Sequence, residues 1–180
     1  MADEQRLIKK IQKGDRASAD ALVRLYYDEI FGFIRKQTAS EDVALDLTQE
    51  IFISLLKSIN RYDPKKGAGF RTWLYKIATD KTIDYFRSHA ARSVETLSLD
   101  DVEPIDETDF TKRIEDEDFT MRVCAYVGKF PADTQKIFRL YIFGGYTFAE
   151  IAEGLHMAEG SVKSKYYRLL NKLRGEFDDG

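Results

Sequence analysis

The sequence predicts an all-α protein of two small helical domains joined by a flexible acidic linker, and three observations carry that expectation. Apolar residues recur every three to four positions along most of the 180 residues and nowhere alternate with period two. Charge is partitioned along the chain: residues 1–92 carry a net +4, 93–118 a net −9 and 119–180 a net +2, for −3 overall. Near the end, Tyr146 to Lys165 reads as two capped helices around a tight turn. The domain boundaries follow as 1–92, a linker of 93–112, and 113–180. A chain of this length suits one medium domain or two small ones.

Leu7, Ile8 and Ile11 fall at helical spacing, and Gly14 ends that short helix. Ala21, Leu22, Leu25, Tyr26, Ile30, Phe33 and Ile34 line one face of a second helix. A third runs from about Ser40 to Asn60, with Val43, Leu47, Ile51, Ser54, Leu55 and Ile59 as its inner face. Asp63-Pro64-Lys65-Lys66-Gly67-Ala68-Gly69 is a loop by its Pro and Gly content. A fourth helix covers about Phe70 to Ser88, with Trp73, Ile77, Leu74 and Tyr85 as its core candidates. The segment from Ser93 to Asp109 has no sustained period, one proline and many acids, the composition of a solvated, self-repelling tether. Four more helices are expected near 113–128, 132–143, 147–154 and 159–175, with Pro131 at the start of the second, where a missing N–H costs nothing.

Composition excludes several classes. Cys124 is the only cysteine, so no intrachain disulfide forms and no zinc site can rest on paired thiolates. On an apolar helix it reads as a packing residue rather than a redox sensor. The polar start, Met1-Ala2-Asp3-Glu4-Gln5-Arg6, is not a secretory signal, and no apolar run is long enough to span a bilayer. His89 and His156 are the only histidines, which leaves no metal site to propose, and no residue pattern calls for a cofactor.

Function is concentrated in three places. Thr147 is a natural N-cap with Glu150 three residues on to close a capping box. Val162, Tyr166, Leu169 and Leu173 then form a buried stripe, leaving Ser161, Lys163, Ser164, Tyr167 and Arg168 on the outer face. Such a helix fits a major groove, where Arg reads guanine edges and Lys holds phosphates. Without DNA, the same pattern would be a helical hairpin with a solvated basic face. On the third helix, Asp46, Gln49 and Glu50 share a face that is not the apolar one; by themselves they read as solvated surface or as a dock for a basic protein. On the fourth, Arg71, Lys76, Lys81 and Arg87 interleave with aromatic residues, with Lys65 and Lys66 just upstream. Exposed rings among cations can stack unpaired bases and hold a single strand.

These residues resemble a known family. The run Asp46-Leu47-Thr48-Gln49-Glu50, Arg61-Tyr62-Asp63-Pro64, Phe70 to Ala78 and Ile83 to Arg87 resembles conserved region 2 of bacterial RNA polymerase sigma factors. Tyr146 to Arg174, with Glu159-Gly160-Ser161-Val162-Lys163-Ser164, resembles region 4. The lack of a substantial region 1.1 or region 3 points to the small extracytoplasmic-function (ECF) group. The resemblance implies that Asp46, Gln49 and Glu50 dock the clamp helices of the polymerase β′ subunit and that region 4 meets the β flap. It implies that Arg61, Lys65, Lys66, Phe70, Arg71, Trp73, Lys76, Asp80 and Arg87 lie on the surface that captures the opened −10 strand. At Asp80 the family often has a neutral polar residue; an acid accepts from a cytosine amino group instead. Ser161, Lys163, Ser164, Tyr167 and Arg168 match the face that enters the −35 major groove. The linker matches the segment that threads near the RNA exit path, where its acids suit a channel built for nucleic acid. When the chain is free, the same acids are expected to cover its own basic surfaces.

The function implied is that of an alternative sigma factor, not an enzyme. It would bind core RNA polymerase, direct it to −35/−10 promoters and promote melting by trapping the open strand. An anti-sigma factor is an implied partner, membrane insertion is not expected, and a polymerase partner places the chain in the cytoplasm. The competing reading is a helix-turn-helix regulator that binds duplex DNA without polymerase, usually as a dimer; no dimerising heptad is visible. A nucleic-acid enzyme would need clustered carboxylates or histidines for metal, and none is seen.

Overall fold

The computed structural model describes residues 2–89, 95–98, 100 and 103–178. Among these residues the elements are all helical: α1 (Ala2–Ile11), α2 (Arg16–Arg35), α3 (Glu41–Ser58), a 3₁₀ turn (Ile59–Arg61), α4 (Phe70–His89), α5 (Thr108–Arg113), α6 (Glu117–Val127), α7 (Ala132–Ile142), α8 (Phe148–Leu155) and α9 (Glu159–Asp178). The chain divides into two compact units, Met1–Lys81 and Thr82–Gly180.

In the first unit α1 and α3 both pack on α2. The buried side chains are Ile8 of α1, Leu22, Tyr26, Ile30, Phe33 and Ile34 of α2, Leu47, Ile51 and Leu55 of α3, and Phe70 and Leu74 of α4. Each fully buried Leu or Ile contributes about 1.5–3 kcal/mol by leaving water. Two inner faces differ from the expectation. On α3 the core takes Ala44, Thr48 and Phe52, while Val43 and Ser54 are half-buried. Thr48 is tolerated there because its hydroxyl donates to the Ala44 carbonyl at 2.7 Å. On α4 the core takes Leu74, Tyr75 and Ala78, whereas Trp73, Ile77 and Tyr85 are only half-buried. The Tyr75 hydroxyl escapes an unpaired burial by donating to Glu29 at 2.9 Å.

In the second unit α7, α8 and α9 pack on one another. Val123, Val127, Phe130, Ile137, Phe138, Ile151, Val162, Tyr166, Leu169, Leu170 and Leu173 are buried. The helix expected near 113–128 is α6, which starts four residues later, and a further helix, α5, precedes it. Asp116 caps α6 by accepting from the Phe119 N–H at 2.7 Å, and the chain turns at Ile114–Asp116 between α5 and α6. Helix α5 therefore begins inside the interval read as tether, anchored by Phe110 at 4% exposure.

A buried arginine went unread in the sequence. Arg139 is fully enclosed, its Nη2 donating to Gln135 Oε1 at 3.2 Å and to the Cys124 carbonyl at 3.4 Å. Its guanidinium lies 4.3 Å from the ring centre of Phe86, a cation–π contact inside this unit. Burial pulls the arginine pKa down and pushes the neighbouring Cys124 thiol up to about 11. That thiol is neutral and enclosed, in keeping with a packing role.

Candidate nucleic-acid and polymerase interfaces

The helix-turn-helix is built from its caps outward. Thr147 Oγ1 accepts from the Glu150 N–H at 3.2 Å, and Glu150 Oε2 accepts from the Thr147 N–H at 2.8 Å, closing the capping box of α8. Helix α8 stops at His156, which takes the left-handed conformation at φ 55°. Glycine ordinarily fills this position, and a side chain there is strained. The turn delivers the chain to α9, whose inner stripe of Val162, Tyr166, Leu169, Leu170 and Leu173 is buried. On the outside Ser161 and Lys163 are exposed, and Ser164, Tyr167 and Arg168 are half-exposed. Lys163 pairs with Glu159 at 2.8 Å, a contact that holds its ammonium pKa up. Tyr167 is steadied by ring contacts to Phe148 and Tyr166.

The described part of the linker packs against this unit. Glu107 accepts from the Tyr141 hydroxyl at 2.7 Å and the Tyr166 hydroxyl at 2.5 Å, joining the end of the linker to α7 and to the inner face of α9. Burial first, then the hydrogen bond to Glu107, pushes both phenol pKa values far up. Tyr141 also stacks on Phe148 with ring centres 4.3 Å apart. Glu95 accepts from the Tyr126 hydroxyl at 2.9 Å and lies 3.8 Å from Lys129. Arg168 Nε donates to the Asp100 carbonyl at 3.2 Å. One of the five candidate groove residues therefore already has a linker group against it. These contacts span up to 68 residues of sequence, so no local pattern announces them.

In the first unit Asp46, Gln49 and Glu50 are all exposed on one stripe of α3. Ile53, one turn further along the same stripe, is 53% exposed, an apolar neighbour that the sequence reading passed over. The basic loop has a different construction. The Lys65 N–H donates to Asp63 Oδ1 at 2.9 Å, an Asx turn that presents Lys65 and Lys66 to solvent, and Gly67 follows at φ 124°. Arg61 is exposed at its start. Beneath it, Phe70 is buried at 2% exposure among Tyr26, Tyr62 and Trp73, with ring centres 5.3–5.9 Å away. Phe70 is thus the ring that holds Trp73 and Tyr62 in place rather than one offered to a ligand. Trp73 is half-buried, and its ring centre lies 5.2 Å from that of Tyr62. Arg71 is bound to Glu29 at 2.6 Å and lies over the Tyr75 ring. Lys76 and Asp80 are half-buried further along α4, and Arg87 is exposed on the part of α4 that belongs to the second unit.

Fold and surfaces together define an all-helical, two-unit protein with a capped helix-turn-helix in its second unit. Residues 22–92 match the family model for sigma-70 region 2, and residues 125–173 match that for sigma-70 region 4. The chain is 25% identical over 173 residues to the RNA polymerase sigma-H factor of Pseudomonas aeruginosa, covering 92% of this chain and 89% of that one. It is 26% identical over 186 residues to the ECF RNA polymerase sigma factor SigW of Bacillus subtilis, covering 96% and 95%. Among solved structures, CnrH in complex with the cytosolic domain of CnrY superposes with a TM-score of 0.63 at 19% identity, covering 98% and 97%, a likeness of fold. The chain belongs to the sigma-70 family and is an RNA polymerase sigma factor of the extracytoplasmic-function group. No helix among the described residues is long and apolar enough to cross a membrane.

Proposed function

We propose that this sigma factor divides promoter recognition between its two units. The second unit grips duplex −35 DNA through Ser161, Lys163, Ser164, Tyr167 and Arg168. The first docks on core polymerase through Asp46, Gln49 and Glu50 and holds the opened −10 strand on the surface from Arg61 to Asp80, with Arg87 beyond it. The observation that carries this reading is the order of the matches: a region 2 segment with an exposed acid-amide stripe and a basic, ring-lined loop, followed by a region 4 segment with a cationic helix-turn-helix.

The physical logic is differential binding. Trp73, half-exposed, and the loop lysines offer an aromatic ring and cations suited to unpaired bases and their phosphates, so they favour the open state over the duplex. Each surface alone is a weak binder. Joined on one polymerase they act at high effective concentration, which makes both half-sites at fixed spacing a requirement. No step of this scheme is catalytic for the sigma itself. The contact of Arg168 with the Asp100 backbone carbonyl fits a free chain whose linker covers part of the −35 face and yields it to DNA. An anti-sigma partner and a cytoplasmic location complete the proposal.

The test is selection of DNA fragments by polymerase reconstituted with this chain, followed by permanganate probing of unpaired thymines. The proposal expects two sequence elements at constant spacing, with reactivity confined to the downstream one. It also expects Arg168→Ala to relax the upstream element alone, with a loss of about 1–3 kcal/mol if the contact to a base is bidentate. A single palindromic element, bound equally well without polymerase, would return the chain to an ordinary duplex-binding regulator.

A further inference from the structure

Helix α1 lies outside both family matches, and nothing so far gives it a task. Its inner side is accounted for. Ile8 is buried, Leu7 and Ile11 are half-buried, and Glu4 receives the Tyr26 hydroxyl. Its outer side carries Arg6, Lys9, Lys10 and Lys13, all exposed. The helical turn continues past Ile11 through bonds from Gln12 N to Ile8 O and from Lys13 N to Lys10 O, so Lys13 stays in register with the other three. Spacings of three, four and seven residues put the four cations on one stripe. With Gln5 they line an open hollow of about 420 Å³ that has no acidic side chain in its wall.

This arrangement costs the free protein something. Arg6–Lys9, Arg6–Lys10, Lys9–Lys13 and Lys10–Lys13 are like-charge pairs at i,i+3 or i,i+4, each unfavourable by a few tenths of a kcal/mol. Cations near a helix C-terminus do favour its dipole, but that effect is confined to the last turn and leaves Arg6 unexplained. Asp15 offsets part of the charge of Lys10, while Arg6, Lys9 and Lys13 have no ion-pair partner among the described residues.

Its position supplies the occupant. The Gln12 side-chain amide donates to the carbonyls of Ile59 at 2.9 Å and Tyr62 at 3.1 Å. These two carbonyls flank Arg61, at the entrance to the Lys65–Lys66 loop. The C-terminal end of α1 is thereby fixed beside that loop, and its cation stripe runs seven residues back along the helix, about 10 Å at 1.5 Å per residue.

We propose that Arg6, Lys9, Lys10 and Lys13 form a phosphodiester-binding track that continues the strand-holding surface and holds about two backbone phosphates next to the segment captured by the loop. This rests on the reading of the Arg61–Gly69 loop as a nucleic-acid surface. The phosphates belong either to the opened strand or to adjoining duplex.

The test is fluorescence anisotropy of the full chain with a labelled single strand and with a duplex of the same sequence, across a salt series. The stripe variant replaces all four cations by Gln, which preserves helix propensity, with circular dichroism to confirm the fold. A Lys65→Gln/Lys66→Gln variant serves as control. Losing two phosphate contacts to a single strand flattens the log K–log salt slope by about 1.4 and weakens binding roughly 25-fold near 0.1 M salt. A loss on the single strand alone assigns the phosphates to the opened strand, and a loss on both probes extends the track to duplex; each supports the proposal. Unchanged DNA binding by the stripe variant, with the loop control weakened, overturns the track and leaves the loop reading intact. Unchanged binding by both variants removes the loop reading as well. If the stripe variant keeps DNA affinity but loses core polymerase, the stripe is a protein dock and the proposal is wrong.

Discussion

Replacing Glu107 by Ala should destabilise the second unit more than any other single change in the linker. The carboxylate is the shared acceptor of two phenols, Tyr141 at 2.7 Å and Tyr166 at 2.5 Å. Tyr141 is half-exposed, so water can take over as its acceptor at little cost. Tyr166 is 1% exposed, and its hydroxyl would be left without a partner. An orphaned buried donor costs about 1–3 kcal/mol, and a bond to an ionised acceptor lies toward the upper end of that range, so a loss of about 2 kcal/mol is expected. Glu107→Gln keeps an oxygen acceptor without its charge and should lose about half as much. Urea unfolding of the full chain, followed by circular dichroism, reads these values directly. The decisive step is a cycle with Tyr166→Phe, which removes the orphan hydroxyl: the double variant should recover about 1–2 kcal/mol relative to the sum of the single changes. Additivity within about 0.5 kcal/mol would refute the clamp, as would a Glu107→Ala variant as stable as the parent.

Three further outcomes follow from the same geometry. Thr147→Ala removes the capping box of α8 and should cost about 1 kcal/mol in urea unfolding, with weaker binding to duplex DNA as the turn loosens. His156→Gly relieves a side chain at φ 55° and should stabilise by roughly 0.5–1 kcal/mol, since the left-handed conformation costs glycine nothing in strain. Tyr126, Tyr141 and Tyr166 all have folded-state pKa values raised above the usual phenol value, that of Tyr126 to about 12, through burial and through Glu95 or Glu107. A raised phenol pKa adds stability that is fully present below the unfolded value near 10 and is lost as pH rises through the folded one. A denaturation series from neutral pH upward should therefore be flat only up to about pH 8.5, fall first as the unfolded chain's Cys124 thiol ionises while the folded one holds its proton to about 11, and fall more steeply beyond about pH 10; Tyr126→Phe should shrink the fall between about 10 and 12.

How far the sequence was legible depends on the range of the interaction. The helix-turn-helix could be read almost residue by residue because its determinants are local: a cap, its partner three residues on, and a stripe at i, i+4, i+7 and i+11. The acid-amide stripe of α3 was equally visible as a shared face, although only the family resemblance gave it a partner. The later start of α6 and the helix α5 before it were missed, but a signal for the start existed, since Asp116 followed by Glu117 and Asp118 is an N-cap with an acidic first turn. Trp73, expected in the core, is only half-buried, and Tyr75, for which nothing was expected, is buried, because α4 is aromatic or apolar on several sides and its burial is decided by α2 and by Glu29, 46 residues away from Tyr75. Buried Arg139 carried no local mark, because its acceptors and the Phe86 ring are brought together only by tertiary packing. Glu107 read as one acid among many until folding set two tyrosines against it.

Asp46, Gln49 and Glu50 are the residues proposed to make this chain a polymerase subunit. The direct measurement is binding of the purified full chain to bacterial core RNA polymerase, by co-elution and by titration, with Glu50→Lys alongside. Glu50 is exposed, so the reversal should leave the circular dichroism unchanged. Tight binding by the parent and its loss in the folded variant are expected. Equal binding by both would contradict the assignment of this stripe, and no binding by a folded parent would contradict the proposed mechanism at its root.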